Sequence, residues 1–471
     1  MAVYFGAVIA VGAYFARRTG DATEYFLGRH QMPWVAVMLS IVATETSALT
    51  VISVPGLGAR SNLTFLQLAF GYLVGRIGVS IWLLPGYFSG EQDTAYQRLE
   101  ARYGVLTRRL ASGIFMTIRA LGDSVRVFAT AIPLAIVTGW SIPLSILVVG
   151  LATLAYTWAG GIRAVVWVDV MQLALYTLGG VVALVIAANL AGGFGESLAA
   201  AAEGGRLQVF EWSSSLTIPY TFASGIIGGA FLSAASHGTD HIIVQRILAI
   251  RDLGGARKAL IGSGILVIGQ FALFLVVGAL IWAAGADDGV MPSDEIFPRF
   301  VLDHLPAGLA GLVVAGLLAA AMSTLSSSLN SLASATTHDF YAPFTGMRDP
   351  KHLLRVGRWA TVAWAAVLMV GALSFRSNGT PVVELALSIA SITYGGLLGT
   401  YIMTGVVRRS EQPDAVAAIV VATVAMLVIV FVKPGEFAAD LAWPWYVPLG
   451  TAITLVVGFT SSRIRQAVSS A

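Results

Sequence analysis

Apolar runs set the terms for this chain. About 13 stretches, each near the ~20 residues that a helix needs to cross ~30 Å of hydrocarbon, follow one another with only short polar joints between them. They lie near 3–16, 33–57, 63–89, 108–137, 140–158, 162–190, 217–245, 256–284, 307–336, 353–374, 381–407, 413–432 and 444–462. No soluble domain fits in the joints, so the 471 residues read as one all-α integral membrane protein in contact with a lipid bilayer. Composition agrees, with 57% apolar and only 11% charged residues. The first run is short, which leaves open a start upstream of Met1. A signal peptide is its rival reading, but no basic segment precedes it and Arg17 and Arg18 follow it. With no cysteine, thiolate metal sites, disulfides and a cysteine nucleophile are excluded. The pI near 9 needs no nucleic acid to explain it.

Basic residues alternate between joints. Arg17, Arg18, Arg29, Arg98, Arg102, Arg108, Arg109, Arg163, Arg246, Arg251, Arg257, Lys258, Arg348, Lys351, Arg355, Arg358, Arg408, Arg409, Arg463 and Arg465 make 20 on one side. Arg60, Arg206, Arg299, Arg376 and Lys433 make five on the other. That bias predicts a cell-membrane protein with its N-terminus outside and its C-terminus in the cytoplasm. The acidic loop around Asp287 and Asp288 is compatible. Arg76, Arg119 and Arg126 remain within spans.

Polar groups inside a membrane are expensive and therefore informative. The run after Ala319 carries Ser323, Thr324, Ser326, Ser327, Ser328, Asn330, Ser331 and Ser334 in one uninterrupted apolar segment. Single hydroxyls often bond back to their own helix, but Ala320, Ser323, Thr324 and Ser327 share one face at i, i+3, i+4 and i+7. Two adjacent hydroxyls plus a carbonyl make half a cation shell. A second anomaly, SIVATETSALTVISVPG at 40–56, puts Glu45 amid an apolar span. It reads either as a kinked packing helix or as a broken helix whose freed carbonyls coordinate Na⁺. A third is TWAGGIRAVVWVDVMQ at 157–172, where a Gly-Gly turn leads into a helix bearing Asp169. An unpaired carboxylate there would be costly, so Asp169 is paired with a positive side chain or lies beside a cation. On the fourth span, Arg119, Asp123 and Arg126 share a face. Asp123 can neutralise only one guanidinium, which leaves one positive charge over. Asp123–Arg126 as a structural pair, with Arg119 near the cytoplasmic interface, is the plainer alternative.

These segments resemble the sodium/solute symporters, which include proline, sugar, iodide, vitamin and sialic acid carriers. The resemblance rests on YFLGRHQMPW (25–34), ATETSA (43–48), GGIRAVVWVDVMQ (160–172), GTDHIIVQR (238–246), MSTLSSSLNS (322–331) and ITYGGLLGTY (392–401), in the family's order over nearly the whole chain. It implies one transporter domain over 1–471, similar in fold to the bacterial leucine transporter. A leading helix and joint (1–30) would precede two inverted five-helix repeats (31–192 and 193–410), and two C-terminal helices (411–471) would follow.

The resemblance also implies roles. The principal sodium site would use the carbonyls of Ala43, Thr46 and Ala320 with the hydroxyls of Ser323 and Thr324. Relatives similar to the sialic acid carriers hold a second sodium, and the matching positions are Asp169, Ser323, Ser326 and Ser327. In those carriers an arginine matching Arg126 holds the substrate carboxylate, with groups matching Ser47, Thr50 and Gln67. GTDHIIVQR adds Asp240 and Gln245 as solute contacts, with Arg246 already near the cytoplasmic end. Sugar-type relatives carry an aromatic gate where this chain has Ile242, and iodide-type relatives lack the arginine.

The implied function is import of a small polar solute, favoured as a carboxylate-bearing anion, coupled to sodium by alternating access. A neutral solute is the runner-up, and a monomer suffices. Two sodium ions with a monoanion would make the cycle electrogenic, and one would not. An enzyme would need a constellation such as HExxH, a nucleophile–base pair or a phosphate loop, and the sequence has none. A receptor of this fold would be expected to carry a soluble signalling domain. A channel is the remaining alternative. His237 and His241 are spaced like metal ligands, but without a third ligand they read as helix-end residues.

Overall fold

The computed structural model describes residues 2–16, 20–90, 92–287, 289–375, 382–433, 435 and 440–470. Arg17, Arg18, Asp288 and Arg376, which entered the charge reading above, lie outside the described residues. The regular elements among the described residues are helices, with one isolated bridge between Met32 and Ile250. In chain order the helices are α1 (Ala2–Ala16), α2 (Ala22–Leu27), α3 (Trp34–Glu45), α4 (Ala48–Arg60), α5 (Leu66–Trp82), α6 (Leu84–Tyr87), α7 (Gln97–Tyr103), α8 (Val105–Thr138) and α9 (Ile142–Leu190). Next come α10 (Phe194–Glu203), α11 (Gly229–Gly238), α12 (His241–Leu248), α13 (Leu253–Ala283), α14 (Ser293–His304) and α15 (Ala307–Ala335). The last are α16 (Ala342–Thr345), α17 (Pro350–Leu373), α18 (Val382–Val406), α19 (Gln412–Leu427) and α20 (Tyr446–Ser470).

Seven helices among the described residues are long and apolar enough to cross a membrane, and the bent pair α3–α4 makes an eighth. The remaining runs fall short for physical reasons. α1 and α5 are 15 and 17 residues long. α8 has 34 residues but carries Arg119, Asp123 and Arg126 in its middle. α11 and α12 are separated by extended backbone at Asp240.

Length alone forces a hinge in α9. Its 49 residues would make a rod of about 74 Å at ~1.5 Å per residue, more than twice the hydrocarbon thickness. The break falls at Gly161, with φ 56° and ψ −153°. A side chain there would be strained, and its Cβ would meet the Tyr25 carbonyl at 2.4 Å. The Gly-Gly turn of the sequence is thus a hinge between 142–160 and 162–190.

α15 is the axis of the packing, lying against α9, α8, α17 and α4. From Val313 to Ala335 every residue is buried, so its hydroxyls point in all directions within protein. The one-face expectation therefore covers only part of them. Ser323 and Ser327 turn to one side, Ser328 donates to Asp123 on α8, and Ser334 contacts His241 on α12.

Small residues let backbones touch where α4 crosses α13. A Cβ on Gly278 would stand 1.9 Å from the Pro55 carbonyl, and one on Gly58 would stand 2.2 Å from that of Leu275. Gly278→Val should therefore force the helices apart, at about 1–3 kcal/mol for overpacking. Thermal unfolding in detergent should show a lower midpoint than for Gly269→Val on the same helix, where a Cβ meets nothing within 4 Å.

Candidate functional site

The break between α3 and α4 bends the chain by 62°. Thr46 leaves the helix at φ −79° and ψ 81°, and the Ser47 amide donates to Glu45 (3.0 Å) instead of continuing the ladder to Ala43. The first amide of α4 to bond back is that of Val51, to Ser47 (3.3 Å). The carbonyls of Ala43 and Thr46 are thereby released from both helical ladders, the condition for an ion to use them. The buried face of α15 lies alongside. Thr324 Oγ1 sits 3.4 Å from both the Thr44 and the Ala320 carbonyl, long contacts at the limit of a hydrogen bond. The Thr46 hydroxyl donates to Gln270 (2.8 Å), so any role for Thr46 falls to its carbonyl.

Asp169 is fully buried, and of the two alternatives raised for it the structure supplies a positive side chain. Arg246, itself fully buried, places Nη2 3.1 Å from Asp169 Oδ2, Nε 2.9 Å from Ser40 Oγ and Nη1 2.9 Å from the Ile242 carbonyl, and it also contacts Ser327. Ser40 and Ser323 donate to Asp169 at 2.5 and 2.6 Å. Arg246, in the last turn of α12, is thus a buried, paired charge and not one of a solvated joint. Ser326 and Ser327 donate to the Ser323 carbonyl at 3.0 and 2.6 Å, so of the three serines only Ser323 hydrogen-bonds Asp169.

A cavity of about 100 Å3 opens beside the break. Thr44, Glu45, Thr50, Tyr72, Arg119, Arg126, Ser236, His237, Ile242, Thr324 and Tyr394 are among its lining residues. Ser47 lies just off it, in a gap of about 10 Å3 that it shares with Asp123, Arg126 and Thr324. Arg126 is bonded to Asp123 through Nη1, while its buried Nε has no partner. The expected surplus charge is absent. Asp240 binds Arg119, accepts from the Tyr394 hydroxyl (2.6 Å) and caps α12 through the Ile242 amide (2.9 Å). Arg119 accordingly lies at the cavity and not at the cytoplasmic interface. With Glu45 bound to Arg76, three carboxylates face three guanidinium groups around the cavity.

Three expected contacts are turned away from that space. Gln67 donates to the carbonyls of Thr64 (3.2 Å) and Tyr220 (2.9 Å), and Gln245 donates to that of Phe26 (2.9 Å). Asp240 spends its oxygens on Arg119, Tyr394 and the helix cap. His237 and His241 do not converge, since His237 lines the cavity while His241 bonds Ser334 (3.1 Å) and the Ala95 amide (3.3 Å).

Comparison with known proteins decides the class. The description of the sodium:solute symporter family matches residues 25–422. The chain belongs to that family. The symporter is 28% identical to the sodium/sialic acid symporter of Aliivibrio fischeri over 98% of its own length and 91% of the relative's. It is 26% identical to that of Proteus mirabilis over 97% and 92%, and 28% identical to the human sodium/iodide cotransporter over 85% and 63%. A sodium-coupled sialic acid symporter solved in a substrate-bound outward-open state superposes with a TM-score of 0.87 at 25% identity, covering 98% of this chain and 96% of that one. A nucleobase-cation-symport-1 transporter shares the fold, with a TM-score of 0.60 at 15% identity over 94% of each chain. The symporter is thus a sodium-coupled carrier in a membrane, not an enzyme.

Sequence reasoning missed the partners more than the sites. Arg246, Tyr394 and the Glu45–Arg76 pair come from segments far apart in the chain. The available signal was the charge count itself, because a membrane interior holding Glu45, Asp123, Asp169 and Asp240 demands as many cations. Since Asp169 and Arg246 exclude water from each other, Asp169→Asn or Arg246→Gln alone should strand a buried charge at about 3–5 kcal/mol. The double variant should lose less than the sum of the two, which thermal unfolding of the four proteins in detergent will read.

Proposed function

We propose that the symporter imports a small carboxylate-bearing organic solute together with sodium. Arg126 carries this reading: a guanidinium on the cavity wall, next to the α3–α4 break, with an unpartnered buried Nε. A carboxylate there gains a charge-assisted hydrogen bond in a desolvated space, and Thr50 lines the same space. Ser47 joins from the adjoining gap. Gln67 and Asp240 act one step back, Gln67 by holding the Tyr220 segment and Asp240 by orienting Arg119. That relatives 26–28% identical are sialic acid symporters supports the same class of solute.

Sodium, as cargo, takes the carbonyls of Ala43, Thr46 and Ala320 with the hydroxyls of Ser323 and Thr324. A second sodium at Asp169, Ser323, Ser326 and Ser327 requires Arg246 to withdraw, because its guanidinium already supplies the counter-charge. The fold completes to 13 spans: a leading helix, two inverted five-helix repeats that each begin with a broken helix (α3–α4 and α11–α12), and two final helices. The N-terminus is outside and the C-terminus cytoplasmic, following the basic joints. Sodium at the break favours an outward-open form that captures the solute, and closure precedes inward release.

Uptake of labelled N-acetylneuraminate and pyruvate into proteoliposomes tests the class. Accumulation under an inward sodium gradient, with none under potassium or proton gradients, is the expected result, and flux without accumulation would show a channel. Ser323→Ala and Thr324→Ala should each raise the sodium concentration for half-maximal uptake. An unchanged sodium dependence in the double variant would move the ion elsewhere. Arg126→Lys keeps the charge and loses the fork. It should weaken the transported carboxylate at least about tenfold while sodium affinity holds, as one charged hydrogen bond predicts. Equal solute affinity would leave the neutral-solute reading.

A further inference from the structure

The cavity has a second polar point that neither the sodium set nor Arg126 uses. Glu45, at the end of α3, is gripped by Arg76 from α5, whose Nη1 also donates to Ser263 (2.7 Å). Arg76 is fully buried, so Glu45 is fixed in place, and at 14% side-chain exposure it still reaches the cavity. His237, in the last turn of α11, is 2% exposed and lines the same space. Its Nδ1 lies 2.8 Å from Ser236 Oγ. Its Nε2 is buried without a hydrogen-bond partner and stands 3.7 Å from the Glu45 carboxylate, beyond hydrogen-bond reach. A buried imidazole nitrogen left unpaired is costly, and native interiors rarely tolerate one.

We propose that Glu45 and His237, with Ser236 behind the imidazole, recognise a hydroxyl or amide N–H of the solute. The site's solute is then a hydroxylated or N-acylated carboxylate, not a bare short-chain one. The carboxylate half of that statement rests on the reading of Arg126 above. Three observations lead to the polar half. An ionised carboxylate only accepts, and an imidazole nitrogen can take either role, so one hydroxyl set between them satisfies both. At 3.7 Å the two groups are too far apart for a direct hydrogen bond and close enough for one solute oxygen seated beside them to reach both. Arg76 already balances Glu45, so the spot has no spare negative charge for an ammonium group and favours a neutral donor.

This point also sits on the ion's own segment. Glu45 lies between Ala43 and Thr46, whose carbonyls the broken helix frees. A solute that pulls on Glu45 therefore acts on the same four residues as the ion. Where a site is built to bind a hydroxyl, a ligand without one leaves buried polar groups unpaired and is rejected far more strongly than size alone would give.

The test uses the full-length symporter in detergent at saturating sodium, with binding of N-acetylneuraminate, pyruvate and D-galactose measured by calorimetry. His237→Phe keeps a ring of similar size and removes both nitrogens; His237→Gln returns an amide. N-acetylneuraminate should bind the parent more tightly than pyruvate, weaken about tenfold or more in His237→Phe, and recover in part in His237→Gln. Pyruvate affinity and the sodium dependence should change by less than about twofold, since neither engages the imidazole. Galactose binding that disappears in His237→Phe would overturn the carboxylate reading and support this one. Pyruvate bound as tightly as N-acetylneuraminate, equal weakening of both in His237→Phe, or no binding of either hydroxylated probe to the parent would overturn it.

Discussion

A carboxylate sealed in an apolar interior must find a cation, and much of this architecture follows from how Asp169 does so. Its partner Arg246 comes from α12, and its hydroxyl donors come from α3 through Ser40 and from α15 through Ser323. Four elements therefore meet at one charge pair with no water to replace any of them. Removing one partner would leave the others facing an uncompensated charge. That is why the hydroxyl-rich helix, the short helix after the second break and the first broken helix keep a common register. The pair is also tied to Ser323, next to Thr324, and to Thr44, next to the freed Ala43 carbonyl, so the proposed ion ligands and helix docking share one neighbourhood.

The cavity repeats the principle at higher solvent access. Glu45–Arg76, Asp123–Arg126 and Asp240–Arg119 each pair, which lets Glu45, Arg119 and Arg126 line a space inside a membrane protein. Hydrogen-bonding capacity is left for a ligand, at the Nε of Arg126 and the Nε2 of His237 among other groups. Selectivity in such a site comes from the placement of donors and acceptors more than from net field. The break in α3–α4 carries both the proposed ion ligands and Glu45, so a single rigid-body change at the break would alter both proposed sites together.

Part of this was legible beforehand because apolar length and intramembrane polarity are local properties. The helix break at Thr46–Ser47, the hinge at Gly160–Gly161 and the buried hydroxyls of α15 are each visible in a dozen consecutive residues. Spacing puts Arg119 and Arg126 on one helix face, the family resemblance picks out Arg126, and both line the cavity. Arg246 counts among the joint charges when position along the chain is read, whereas folding buries its guanidinium against Asp169. Gln67 and Gln245 fit the family pattern by type, yet their amides are spent on carbonyls of Tyr220 and Phe26, groups brought to them only by folding.

The sequence by itself determined that the chain is a multi-helix membrane protein and that hydroxyls and carboxylates lie within its spans; whether 40–56 kinks or breaks it left open. These follow from the cost of placing polar groups in hydrocarbon, which every residue meets locally. Only the tertiary structure decided which charge answers which: Arg246 for Asp169, Asp240 for Arg119, Arg76 for Glu45. It also decided that His237 would line the cavity with a buried Nε2 that has no hydrogen-bond partner. Pairings of this kind join residues 31 to 121 positions apart, and they are set by the packing of helices against one another, on which spacing within any one helix is silent.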